Sequence, residues 1–213
     1  MGRQEILERI RAALGDGRPP AAGRADIAMR MQQPPVGPGP QVEGDLVARA
    51  IAKAAANLLT VERIASLPML VAAVEALLSE TGAAADISVV PALADVGWPA
   101  EWKINLGRGR LVERLSVTQA LSGIAETGSI VLRSAAATPT SLNFLPDTHV
   151  IVLRAADIFA RPEDVWRRMR ADAATWPRTV NVISGPSRTA DVGGVVVRPA
   201  HGPKRVHVVL LDD

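Results

Sequence analysis

The sequence predicts an α/β domain whose sheet is mainly parallel and flanked by helices, preceded by a flexible N-terminal arm. Three observations carry that prediction. Short β-branched runs alternate with helical segments along residues 45–213, the pattern of repeated strand–helix–strand units. Several of these runs are apolar without interruption, as expected of strands covered on both faces. Residues 15–44 are instead dominated by Gly and Pro, with Pro19-Pro20, Pro34-Pro35 and Pro38-Gly39-Pro40.

Residues 4–14 read as a short amphipathic helix, with Ile6, Leu7, Ile10 and Leu14 on one stripe. The Gly/Pro-rich stretch that follows offers too little apolar surface to offset its ordering entropy, so residues 1–44 are expected to form a helix-tipped linker arm. The arm is either a tether with a binding face or a segment that packs on its own domain or frays. The folded domain is expected over residues 45–213. Asp45 is placed to cap a helix running to about Asn57, and Pro68 opens a helical segment that stops at Gly82. Asp86–Val90 is a short strand, and residues 92–110 read as irregular. Leu111–Val117, Ser129–Arg133, Val150–Leu153, Val180–Ser184, Val195–Val197 and Val206–Leu211 are further strands. Pro162–Asp172 is a helix with Glu163 and Asp164 in its first turn and Arg167, Arg168 and Arg170 towards its end, which suits the helix dipole.

Composition narrows the function classes. Hydrophobic residues make up 48% and charged residues 22%, ordinary globular values that argue against wholesale disorder. The pI of 9.6 suggests nucleic acid, but 24 basic residues face 22 acidic ones. With neither Cys nor Tyr and only three Lys, little titrates between the His range and pH 10, so a surplus of +2 is enough to raise the pI. No basic tail is present, so no nucleic-acid partner is expected. The absence of Cys excludes disulfides, thiolate nucleophiles, Cys–zinc sites and a self-held iron–sulfur cluster within these residues. The uncharged stretch Ser134–Pro146 is too short and polar for a bilayer, and the N-terminus lacks a signal-peptide core. A soluble, cytoplasmic protein without membrane insertion is expected.

Three motifs could carry chemistry. In Ile183-Ser-Gly-Pro-Ser-Arg-Thr-Ala-Asp191 a β-branched strand runs into a Gly-Pro turn. Ligands of open α/β sheets bind at the carboxyl ends of strands. There the backbone at Gly185, the hydroxyls of Ser187 and Thr189 and the Arg188 guanidinium suit a small anion. The alternative is an ordinary loop in which Ser187 or Asp191 caps a short helix. In Ala125-Glu-Thr-Gly-Ser129, Glu126 is a candidate general base or hydroxyl anchor, with Thr127 and Gly128 beside it. The alternative is a solvated carboxylate before a turn. His201, in His201-Gly-Pro203, is the best-placed loop histidine, or else a turn residue bonded to backbone. His149, His201 and His207 fit no compact zinc spacing, so no metal is expected. Trp98, Trp102, Trp166 and Trp176 are scattered, as packing residues are. No flavin or nicotinamide fingerprint is present, and the cofactor stays open.

Ile124–Leu132, Leu145-Pro-x-x-His149, Ile183–Asp191 and His201-Gly-Pro203, in this order and spacing, resemble the LUD-domain family from about residue 45 to the end. The resemblance implies a fold similar to the CoA-transferase, ribose-phosphate isomerase and formyltetrahydrofolate cyclo-ligase group. It also implies a place in a three-component system that oxidises L-lactate to pyruvate, whose other subunits hold iron–sulfur clusters. Two functions follow as expectations. One is a cluster-free accessory subunit whose pocket holds a small anion or a partner segment. The other is a free-standing enzyme acting on a phosphorylated or CoA-like small molecule, which rests on fold analogy.

Overall fold

The computed structural model describes residues 2–14, 20–33, 37, 39–109, 113–172, 176–186 and 201–212. The chain divides into two units, Met1–Gln41 and Val42–Asp213. The first holds two helices, α1 (Arg3–Leu14) and α2 (Ala21–Gln32), neither of which buries a residue. The second helix corrects the expectation of an unbroken linker between Gly15 and Gly44. Pro20 caps a run rich in Ala, Arg, Met and Gln, all good helix formers, and the prolines that dominate the composition lie outside it.

The second unit opens on α3 (Leu46–Ala56). As the sequence predicts, the Asp45 carboxylate caps it, accepting from the Val47 and Ala48 N–H groups at 2.9 and 3.1 Å. Then follow β1 (Thr60–Ile64), α4 (Leu70–Thr81), β2 (Asp86–Val89) and β3 (Lys103–Leu106). Next come β4 (Leu115–Gln119), β5 (Ser122–Ile124), β6 (Ser129–Arg133), α5 (Ser141–Phe144) and β7 (Thr148–Arg154). The last elements are β8 (Ile158–Phe159), α6 (Pro162–Asp172), β9 (Val180–Ile183) and β10 (Arg205–Leu211).

Six strands form a wholly parallel sheet in the order β1-β10-β7-β4-β2-β3. The α/β prediction with a mainly parallel sheet therefore holds. A second sheet, β8-β5-β6-β9, is antiparallel at its centre and was not expected, because β5 and β8 are too short to register as strands. Strand β3 lies inside the stretch read as irregular. Its Lys-Ile-Asn-Leu run alternates weakly and forms an edge, where partner strands rather than propensity decide. The strand expected from Leu111 is described only from Leu115, residues 110–112 lying outside the described set, as does Val195–Val197.

The four central strands of the large sheet, β10, β7, β4 and β2, are buried on both faces. Ile87, Val89, Val117, Val150, Val152 and Val209 pack with Leu70, Val74 and Leu77 of α4. Ile151, Leu153, Val208 and Leu210 meet Ala50 and Ala54 of α3 together with Ile130 and Leu132 of the small sheet. On the far side of the small sheet, Ile124 and Val131 pack on Val165 and Met169 of α6. The layers run α4, large sheet, α3 with small sheet, α6. Trp98 and Trp102 pack at the edge of the first core with ring centroids 5.9 Å apart, and the Trp98 indole N–H donates to the Leu93 carbonyl at 2.9 Å.

Candidate functional site

The turn between β5 and β6 carries Ala125, Glu126, Thr127 and Gly128. Gly128 adopts φ +71°, and a Cβ there would overlap the backbone of Lys53 and Ala54 in α3. The Asn57 side-chain amide donates to the Thr127 carbonyl at 2.9 Å, fixing the turn against the end of the same helix. The Ala125 and Glu126 N–H groups donate to the Phe159 and Ala160 carbonyls at 2.8 and 3.0 Å. The backbone of the turn is thus held on two sides.

The register of β6 with β9 pairs Ile130 with Ile183, which brings the residues just beyond them together. Ser129 Oγ lies 2.7 Å from Ser184 Oγ and 2.8 Å from Thr127 Oγ1, a chain of three hydroxyls joining two motifs. Gly185, at φ +132°, approaches the Asn57 carbonyl so closely that a Cβ would overlap it. Thr127, Gly128 and Gly185 are therefore gathered at the C-terminal turn of α3. Glu126 is half-buried beside them, and its carboxylate has no hydrogen bond or ion pair among the described residues. A carboxylate with free lone pairs next to linked hydroxyls can accept from, and take a proton from, a hydroxyl-bearing ligand.

Ser187, Arg188 and Thr189 lie outside the described residues, as does Asp191. His201 is exposed and precedes the amino end of β10, where a Cβ added to Gly202 (φ +78°) would only touch Phe144. Its ring makes no hydrogen bond to Glu126, Thr127 or Ser184 among the described residues. His201, the third candidate named from the sequence, stands apart from the other two. Glu126 and Gly185 follow the carboxyl ends of β5 and β9 in the small sheet, whereas His201 stands at an amino end in the large one. The chain changes sheets between β9 and β10, and strand propensity says nothing about which sheet a strand joins.

Sequence reading missed a buried polar row. The register aligns Ser88, Ser116 and His149 across β2, β4 and β7. His149 is fully buried, with Nε2 2.7 Å from Thr118 Oγ1 and Nδ1 without a partner among the described residues. Burial pushes its pKa down to about 3, so it is neutral in the folded protein. Ser116 donates to the Leu142 carbonyl at 2.6 Å, tying α5 to the sheet. The available signal was the Leu-Ser-Val-Thr alternation of β4, polar on one face only. At the sheet edge, His207 Nδ1 lies 2.7 Å from Thr60 Oγ1 and Nε2 lies 3.5 Å from Glu62. Burial lowers the pKa of His207 against the opposing pull of Glu62. Among the described residues no group of three His, Asp or Glu side chains is placed to hold a metal. No described helix is long and apolar enough to cross a membrane.

Comparison with known proteins places this geometry. The LUD domain model matches residues 111–211, a narrower span than the motifs suggest. The Escherichia coli protein YkgG, itself named uncharacterized, is 31% identical over 118 residues, covering 54% of this chain and 51% of its own. Lactate utilization protein C of Bacillus subtilis is 30% identical over 129 residues, covering 54% of each. The matched stretch thus spans about half the length of these curated relatives. A crystal structure of a DUF162 family protein from Deinococcus radiodurans superposes with a TM-score of 0.62 over 81% of this chain and 99% of that one, at 18% identity, which establishes a shared fold. Residues 111–211 of the chain therefore match the LUD domain, and its curated relatives include proteins named for lactate utilization.

Proposed function

We propose that this protein is a component of a lactate-utilization system, acting as a cluster-free subunit beside partners that carry the iron–sulfur redox centres. The observation that carries the reading is the match to proteins named for lactate utilization, combined with a LUD domain that encloses both joined motifs. The 213 residues contain no Cys to ligate a cluster, which supports assigning electron transfer elsewhere. In this reading the junction of Glu126, Thr127, Gly128 and Gly185 holds a small anionic ligand or a partner segment. Ser187, Arg188 and Thr189, which follow the Gly185-Pro186 pair, supply the anion contacts, whereas His201, at the amino end of β10, is not part of this junction.

The test is complementation. A bacterium lacking its own lactate utilization protein C should regain growth on L-lactate when it expresses this chain. The purified chain alone should not reduce a dye with L-lactate, whereas addition of the cluster-bearing partners should give turnover. Lactate-dependent dye reduction by the isolated chain would overturn the accessory role. Failure of a folded, expressed chain to restore growth would overturn the lactate assignment.

A further inference from the structure

A second cleft lies at the opposite end of β6. Arg133 ends that strand, and Arg178 stands two residues ahead of β9. The antiparallel register sets Arg133 against Val180. Pairing continues beyond the strands, since the Ser134 N–H donates to the Thr179 carbonyl and the Thr179 N–H donates to Ser134 Oγ, both at 2.9 Å. Alternation along the pleat then puts Arg133, Val180 and Arg178 on one face, the face on which Val131 and Val180 pack with α6. Diagonal cross-strand neighbours stand roughly 7–8 Å apart, a separation that two guanidinium groups can close around one anion.

Both arginines line a cleft of about 680 Å³ just past the end of α6, walled by Leu121, Pro139, Met169 and Trp176. That volume suits a small organic ligand. Neither guanidinium has a carboxylate partner among the described residues. Arg168 of α6, by contrast, is held by Asp157 at 2.6 Å and by Asp172 at 3.4 Å. Asp172 also borders the cleft, but its carboxylate is engaged by Arg168. Of the four tryptophans only Trp176 is more than a third exposed, at 55%. A large apolar ring left in water beside two unpaired cations is the arrangement that recognises an anion with a planar body.

We propose that this cleft is a second ligand site, distinct from the Glu126–Gly185 junction, for an organic phosphate or carboxylate. The anionic group sits between Arg133 and Arg178, and the planar part of the ligand lies on Trp176. Ser129 and Arg133 are four residues apart on one strand, so the two sites are separated by roughly 13 Å.

The test uses the full chain, with phenyl phosphate and inorganic phosphate as probes in calorimetric titrations. Phenyl phosphate should bind more tightly than inorganic phosphate. Arg133→Ala and Arg178→Ala should each weaken it about tenfold, and the double variant about a hundredfold. Trp176→Ala should weaken phenyl phosphate severalfold while leaving inorganic phosphate unchanged. All three side chains are exposed, so thermal melts should show the variants folded. No binding of phenyl phosphate, or equal affinity in the double arginine variant, overturns the proposal. Loss of phenyl phosphate binding in Arg188→Ala with no effect at Arg133 or Arg178 also overturns it, assigning the anion to the first site instead.

Discussion

Ser129 and Ser184, 55 residues apart in sequence, meet hydroxyl to hydroxyl at 2.7 Å where β6 and β9 begin and end their pairing. This contact joins two motifs far apart in the sequence. A hydrogen bond of this kind contributes about 0.5–1.5 kcal/mol net, and neighbours sharing a bond are non-additive. Ser129→Ala and Ser184→Ala should therefore show a coupling energy of about 1 kcal/mol in a double-mutant cycle by urea unfolding. Strict additivity would show that the hydroxyls act separately.

Gly128→Ala should destabilise the protein by about 3 kcal/mol or more, because backbone overlap with α3 adds to the left-handed strain. Gly82→Ala is the control. Gly82 has φ +63°, but nothing lies within 4 Å of its Cβ position, so only the conformational cost of about 1–2 kcal/mol remains. Equal losses in the two variants would mean that the turn does not depend on close approach to α3.

Stability should fall as pH drops below about 6.5. The folded-state pKa of His149 is lowered to about 3, so the unfolded chain binds its proton first. The stabilisation is fully present above the unfolded value and is lost as pH falls from about 6.5 towards 3, at no more than about 1.4 kcal/mol per pH unit from this residue. His207, also lowered, adds in the same direction. Below the ordinary carboxylate range Asp147 joins them: burial raises its pKa, but Arg114 and Lys204 outweigh this and hold it low. His149→Gln should flatten the slope between pH 6.5 and 5 in urea midpoints, and an NMR titration should find the His149 ring neutral at pH 5. A ring protonated at pH 5 in the folded protein would refute the assignment.

Deleting residues 1–41 should leave the unfolding of the remaining chain cooperative, with a melting temperature changed by only a few degrees. Val42 packs on the α3 core, and Asp45 caps α3, so the cut must stop before them. Asp45→Ala in the truncated protein should cost about 1 kcal/mol. A non-cooperative melt after the deletion would show that the arm contributes to the core.

Arg188→Ala should weaken binding of a small anion at the first site roughly ten- to a hundredfold, the range of one charge-assisted contact, with little change in melting temperature. A stability loss without an affinity loss would make Arg188 a structural ion-pair residue, with Asp191 as its partner.

Periodicity and capping sufficed for the local elements. Asp45 begins α3, Gly82 ends α4, Pro162–Asp172 is α6, and the unbroken apolar runs of β7 and β10 became central strands. These features depend on residues within one or two turns of each other, so a linear reading reaches them. Helix α2 escaped because composition averaged over thirty residues hid a twelve-residue run of helix formers. The sequence by itself also singled out Glu126-Thr-Gly and Ser184-Gly as candidates, each beside the alternative of an ordinary turn or loop. Only the tertiary structure decided that they share one place, that His149 is buried and neutral, and that His201 stands at an amino end. Each of those outcomes depends on which strand pairs with which and in what register. That choice is made by the packing of two sheets against α3 and α6, through contacts between residues far apart along the chain.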